Sequence, residues 1–242
     1  MIELRDVSKR LGSRQILAGM TLAVKKGMNF VLMGPSGSGK SVTLRHVIGI
    51  LRPDQGVVLV DGQEVSAMDN KQLMALRKRM GYLFQNGALI NWLSVFDNVA
   101  LPLREHARLP KSELEDRVQQ VLRLVKLDHA AAQFPPSISG GMKLRAGLAR
   151  ALVTNPEYVL YDEPNAGLDP IISHQIHELI AQVRDELNVT GLIVTHSRAC
   201  ATQCGDRIGI LENGKLAIEG SVAEMVQSEH PLARAFLGGG SD

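Results

Sequence analysis

Aromatic side chains are scarce: one Trp, three Tyr and five Phe, together 4% of the chain. Any core must therefore be mainly aliphatic, drawn from a hydrophobic fraction of 45%. An excess of either charge is also lacking. The 27 Lys and Arg against 25 Asp and Glu leave a net charge of +2. That balance argues against nucleic acid or an anionic membrane surface as a partner. No segment approaches the roughly 18 continuous apolar residues of a membrane span. A soluble chain is expected, with any membrane role exercised through partners. The start, Met1-Ile2-Glu3-Leu4-Arg5-Asp6, lacks the basic and then apolar pattern of a secretory signal. Cysteine is confined to Cys200 and Cys204. Without an export signal these are expected to be buried small hydrophobes on one helical face. Low-complexity linkers and clear internal repeats are missing as well.

What remains is a long alternation of strand and helix patterns. Residues 2–7 and 20–24 alternate like half-buried strands, and Asn29–Met33 reads as a buried strand ending at Gly34. Apolar positions between Gly39 and Leu51 suit a buried helix. Residues 52–56 read as a loop, Val57–Val60 as a strand, and Asp61-Gly62 as a hairpin turn. From about Ser94 to Thr154 helical spacing dominates, with breaks expected at Pro102, Pro110 and Pro135-Pro136. Strand and helix then alternate again: strand at 158–161, helix at 170–187, strand at 191–195. A closing hairpin over 207–218, one short helix and a frayed tail at Gly238-Gly239-Gly240 complete the pattern. The expected architecture is an α/β core carrying a helical insertion.

Gly34-Pro35-Ser36-Gly37-Ser38-Gly39-Lys40-Ser41 fits G-x-x-x-x-G-K-S between a buried strand and a helix, the context this motif requires. Its glycines let backbone N–H groups turn toward phosphate oxygens, and the helix N-terminus adds positive potential. Lys40 reaches the β- and γ-phosphates, and the Ser41 hydroxyl suits Mg²⁺. Chance alone produces the pattern in about one chain in a hundred of this length. An acidic partner is needed at a neighbouring strand end, and Tyr158–Tyr161 followed by Asp162-Glu163 supplies it. Asp162 suits the magnesium shell, and Glu163 suits a general base for water.

Gln85 follows an apolar strand at 81–84 and can touch the metal or the attacking water; the alternative is a plain loop residue. His196 follows the strand at 192–195 and can reach the γ-phosphate; the alternative is a structural histidine. Ser139-Gly140-Gly141 opens a helix rich in small and basic residues, a second anion site or simply a serine N-cap with flexible glycines. One nucleotide uses both helix N-termini only if a second copy of the chain brings one of them.

These motifs, in this order, resemble the ABC ATPases over essentially the whole chain. Residues 34–41 match the P-loop, Gln85 the Q-loop and Ile138-Ser139-Gly140-Gly141-Met142 the signature motif. Asp162-Glu163 match the Walker B pair, Ala166-Gly167-Leu168-Asp169 the D-loop, and His196 the switch histidine. The resemblance implies a P-loop NTPase fold of the α/β class: a RecA-like core (1–85 and 157–242), an antiparallel β subdomain and a helical subdomain (86–156). It implies ATP and Mg²⁺ as ligands. Gly34 to Val42 would hold the nucleotide together with Ser139, Gly140, Gly141 and Asp169. Catalysis would fall to Glu163, His196, Gln85 and Lys40, and metal binding to Ser41, Gln85 and Asp162. Two copies would close head to tail and drive an integral membrane permease.

Within that family, Arg77-Lys78-Arg79-Met80, Leu83–Leu89 and Val95–His106 are similar to the Mla/Mce group of bacterial phospholipid transporter ATPases, as is Met142. That similarity implies Mce-domain and STAS-domain partners and a peripheral place on the cytoplasmic face of the inner membrane. Two positions depart from the family. Leu11 stands near the place of an aromatic residue that stacks on adenine, with Arg10 as a substitute stacking group. Ile138 replaces the leucine of the signature, a swap that conserves volume. Another transported cargo within the family remains an open reading, as does an ATP-dependent clamp on DNA or ribosomes. The single P-loop, the lack of heptads and the balanced charge speak against the clamp.

Overall fold

The computed structural model describes residues 1–106 and 109–238. Strands β1 (Ile2–Leu11) and β2 (Arg14–Val24) form a long hairpin, and β3 (Asn29–Met33) leads through a glycine-rich turn into α1 (Lys40–Val47). β4 (Gln55–Val60), β5 (Gln63–Glu64), α2 (Asn70–Lys78) and β6 (Met80–Leu83) follow. Three helices come next: α3 (Val95–His106), α4 (Lys111–Leu124) and α5 (Gly140–Leu152). The chain then alternates through β7 (Tyr158–Asp162), α6 (Pro170–Leu187), β8 (Thr190–Thr195) and α7 (Arg198–Cys204). It ends in the hairpin β9 (Arg207–Glu212) and β10 (Lys215–Ser221), with α8 (Val222–Gln227) and α9 (Pro231–Leu237) behind.

Two sheets result. An antiparallel sheet has the order β2-β1-β4-β5, and a six-stranded sheet has the order β10-β9-β3-β8-β7-β6. In the second, β9, β3, β8, β7 and β6 run parallel and only the edge strand β10 is antiparallel. Because side chains alternate along a strand, its two faces feed two separate cores. Val31, Met33, Val159, Tyr161 and Ile193 pack under the helices α3 to α7. Phe30, Leu32, Leu160, Leu192 and Val194 pack against α1 and the antiparallel sheet. The parallel order places the C-terminal ends of β3, β8, β7 and β6 side by side along one edge, where open α/β sheets bind ligands.

Most expected elements stand where the sequence places them, with some differences. β1 runs on to Leu11 because an irregularity between Leu4 and Val7, with Asp6 at φ 52°, resets its alternation. α2 is not among the expected elements; its start is fixed by a capping box between Asp69 and Gln72, and Leu73 and Leu76 pack toward the core. Pro102 does not break its helix but lies inside α3. A proline there forgoes a backbone bond and costs about 3 kcal/mol. Burial of Val95, Val99, Ala100 and Leu103 at 0–2% exposure holds the helix together regardless. Two short helices, not one, follow the closing hairpin. Cys200 and Cys204 are buried on α7. Of the expected glycine tail, Gly239 and Gly240 lie outside the described residues.

The β4–β5 turn ties the two sheets together. Its Asp61 accepts hydrogen bonds from Tyr158 Oη at 2.6 Å and the Met1 amine at 2.7 Å, and pairs with Lys26 at 3.0 Å and with Arg79. Burial raises the Asp61 pKa, but these partners together overcome it and hold the carboxyl well below the usual carboxylate range. A depressed pKa contributes stability that is present above the ordinary value and lost as pH falls. Asp61→Asn is expected to lower stability at pH 7 by about 1–2 kcal/mol. In denaturant unfolding the gap to wild type should narrow below the ordinary aspartate value of 3.8.

Candidate active site

The loop between β3 and α1 takes backbone shapes that side chains resist. Gly37 and Gly39 stand at φ 76° and 110°, and a Cβ on Gly34 would lie 2.6 Å from the Leu211 carbonyl oxygen. The loop closes on Lys40, which is buried at 6% exposure. Its Nζ donates to the carbonyls of Gly34 at 2.8 Å and Pro35 at 3.2 Å, and lies 3.5 Å from Glu163 Oε1. Ser38 Oγ is buried without a hydrogen-bond partner.

β7 brings the acids. Ser41 Oγ donates to Asp162 Oδ1 at 2.7 Å, and Tyr82 Oη on β6 donates to Asp162 Oδ2 at 3.0 Å. Burial, and then the Asp162 charge, push the Tyr82 hydroxyl above its ordinary pKa, so it stays protonated and donating. Glu163 sits one residue past the strand at φ 49°, a left-handed conformation held by its N–H donating to the Val194 carbonyl at 2.9 Å. That turn directs its carboxylate to Lys40 on one side and to His196 on the other. His196 Nδ1 lies 3.0 Å from Glu163 Oε2, and the His196 N–H donates to the same oxygen at 3.3 Å.

Ser36, Gly37, Gly39, Lys40, Ser41, Val42, Gln85, Glu163 and His196 line one cleft of about 420 Å³, with Arg14, Ile16 and Ala166 completing it. Asp162 stands behind Ser41. The cleft's ligand chemistry suits a phosphate chain: it holds a buried ammonium and a helix N-terminus. Ser41, Asp162 and Gln85 offer hard oxygens, the donor set that Mg²⁺ prefers.

Eight expected site residues do not line this cleft: Gly34, Pro35 and Ser38 lie within its loop, Asp162 lies behind Ser41, and the other four lie elsewhere. Ser139 caps α5, its Oγ accepting from the Met142 N–H at 3.3 Å, and Asp169 caps α6, accepting from the Ile172 N–H at 3.0 Å. Gly140 and Gly141 lie beside Leu168 and Ile172, where a Cβ on Gly141 would come within 2.5 Å of Ile172 Cγ2. Leu11 is 41% exposed and Arg10 is engaged with the Ser13 carbonyl, so neither lines the cleft. Sequence reasoning missed Tyr82, Arg14 and Ile16, and named Ala166 only as part of the D-loop match. Nothing in the sequence marks Tyr82 or Arg14.

The Gln85 end of the site is fastened to the helical region. A 3-10 turn, Gln85–Ala88, meets α5 backbone to backbone, where a Cβ on Gly147 would lie 2.7 Å from Gly87 Cα. Arg150 donates to the Gly87 carbonyl at 2.8 Å and the Ala88 carbonyl at 2.9 Å. Buried Asn98 bonds to the backbone of Ile90, Leu93 and Ser94 and fixes the next loop.

A strand–loop–helix phosphate grip, with acids, an amide and an imidazole delivered by the neighbouring strand ends, defines a P-loop nucleotide-hydrolysing domain. Residues 17–166 match the ABC transporter family, and the chain belongs to that family as an ATP-binding, ATP-hydrolysing cassette. It is 42% identical over 98% of its length to the probable ribonucleotide transport ATP-binding protein mkl of Mycobacterium leprae, of which it spans 69%. It is 40% identical over its whole length to the intermembrane phospholipid transport system ATP-binding protein MlaF of Haemophilus influenzae, of which it spans 92%. MlaF of Escherichia coli K12 is 40% identical as well, with 90% of that protein spanned. A solved structure of MJ0796, described as a dimeric bacterial ABC transporter cassette, superposes with a TM-score of 0.84 at 32% identity. The match covers 92% of this chain and 99% of that one. Another structure of that cassette is a dimer in a post-hydrolysis state bound to ADP and Pi.

Gly34→Ala tests the grip. The added methyl meets a backbone oxygen that cannot swing aside. The thermal shift given by saturating ATP is expected to disappear, with circular dichroism retaining the α/β signature.

Proposed function

We propose that two copies of this chain close on ATP and drive a membrane permease that moves phospholipid between the inner and outer membranes. The observation that carries the cargo reading is the end-to-end likeness to the MlaF proteins, which leaves little of either partner unmatched. The mkl relatives are as similar but longer, 66–69% of them being spanned, and favour ribonucleotide transport as the second reading. Mce-domain and STAS-domain subunits would complete the assembly at the cytoplasmic face of the inner membrane. No described helix is long and apolar enough to cross a membrane, so contact with the bilayer would come through the permease. The chain acts as one cassette, with 1–85 and 157–242 as its nucleotide-binding core and 86–156 as its helical part.

The geometry supports a division of labour. Lys40 and the loop from Gly34 to Val42 bind the phosphates, and Ser38 Oγ gains the acceptor it lacks. Ser41, Asp162 and Gln85 would hold a Mg²⁺ ion that neutralises charge on the β- and γ-phosphates. Glu163 takes a proton from the attacking water. His196 positions Glu163 through their contact at 3.0 Å. Ser139, Gly140, Gly141 and Asp169 do not line their own P-loop cleft and would serve the nucleotide of the second copy. Dimers of MJ0796 support this arrangement.

Glu163→Gln is expected to slow phosphate release at least about 100-fold. ATP affinity should persist, and an ATP-dependent dimer should accumulate on size-exclusion chromatography. Turnover within a few-fold of wild type removes the base role. For the cargo, affinity purification from native membranes should recover a permease with Mce-domain and STAS-domain subunits; recovery of a different permease class overturns the phospholipid reading.

A further inference from the structure

Arg14 opens β2 opposite Leu11, directly after the turn of the first hairpin. Its neighbours in charge are occupied. Arg5 binds Glu3 at 2.6 Å, and Arg10 donates to the Ser13 carbonyl at 3.0 Å. Among the described residues Arg14 has no hydrogen bond and no ion pair, yet it is not directed into open solvent. Its Nη2 and Nη1 atoms lie 3.8 and 4.0 Å from the point where a Cβ on Gly37 would sit, and it lines the same cleft as Ser36, Gly37 and Lys40. A guanidinium therefore lies over the phosphate grip without a counter-charge.

Among the described residues no Phe, Tyr or Trp lines the same cleft. An adenine entering it finds aliphatic Ile16 and this guanidinium but no stacking platform. Stacking of a base on an aromatic ring is a sequence-tolerant source of affinity in single-stranded nucleic-acid sites. Affinity must come from elsewhere, and a forked, charge-assisted contact to phosphate oxygens is of similar strength.

We propose that Arg14 is a phosphate-binding residue that grips the nucleotide's polyphosphate chain from the β1–β2 hairpin and replaces base stacking as a source of affinity. Recognition then rests on the phosphates, and purine nucleoside triphosphates are bound with little distinction of base. This rests on the P-loop cleft being the nucleotide site, as set out above.

The test is isothermal titration of the full chain with ATP, GTP and inorganic tripolyphosphate, on wild type, Arg14→Ala, Arg14→Lys and Lys40→Ala. Arg14 is exposed, so unchanged melting temperatures are expected for its variants. Wild type should bind ATP and GTP within a few-fold of each other. Arg14→Ala should weaken all three probes alike, by about ten-fold. Arg14→Lys should fall between, because the charge remains and the fork is lost. Weakening of ATP and GTP with tripolyphosphate untouched assigns Arg14 to the base and overturns the proposal. Unchanged affinities in Arg14→Ala, with Lys40→Ala defective, overturn Arg14 alone. Absence of ATP binding in wild type, or a Lys40→Ala variant that binds as wild type does, fails the nucleotide site itself and the role of Arg14 with it.

Discussion

A buried ammonium group governs this molecule. Lys40 carries its charge out of water, and an uncompensated cation there would be prohibitively unfavourable. Two carbonyls of the loop it belongs to and one carboxylate from another strand offset that cost. Each demand shapes the chain around it. The carbonyls of Gly34 and Pro35 turn inward only because glycines let the loop adopt left-handed backbone. The carboxylate arrives only because Glu163 leaves β7 in a left-handed turn. The donors of this arrangement match a phosphate chain.

Sheet order explains how so many sequence-distant residues meet. β3, β8, β7 and β6 are consecutive in space but not along the chain. Their C-terminal ends deliver Lys40, His196, Glu163 and Gln85 to one edge. The alternation along each strand feeds two cores, one under the helices and one under the antiparallel sheet. That double burial keeps the edge rigid enough for contacts of about 3 Å to be maintained between separate strands.

Much of this was legible in the sequence because it is local. Buried strands such as Asn29–Met33 and the helix Pro170–Leu187 announce themselves by composition and capping, and the phosphate loop by its glycines. Legibility failed where tertiary packing overrides local preference. Pro102 signals a break, but four buried neighbours keep α3 continuous. At the site, the residues next to strand ends were readable from motif spacing. Arg14 and Tyr82 were not, since each matters only through what the fold brings opposite it: Gly37 for the one, Asp162 for the other. The aromatic deficit visible at the outset extends into the cleft, where neither Leu11 nor Arg10 takes the stacking place.

The contact between Gly87 and Gly147 has a consequence for how this sequence can vary. The backbone of the turn after Gln85 rests against α5 with no room for a methyl group on either side. Replacing one glycine is not rescued by altering the other, because each is confronted by main chain, which mutation cannot trim. The pair therefore behaves as a single hereditary unit: drift at either position is closed off while the turn and the helix remain apposed, however freely the exposed faces around them diverge.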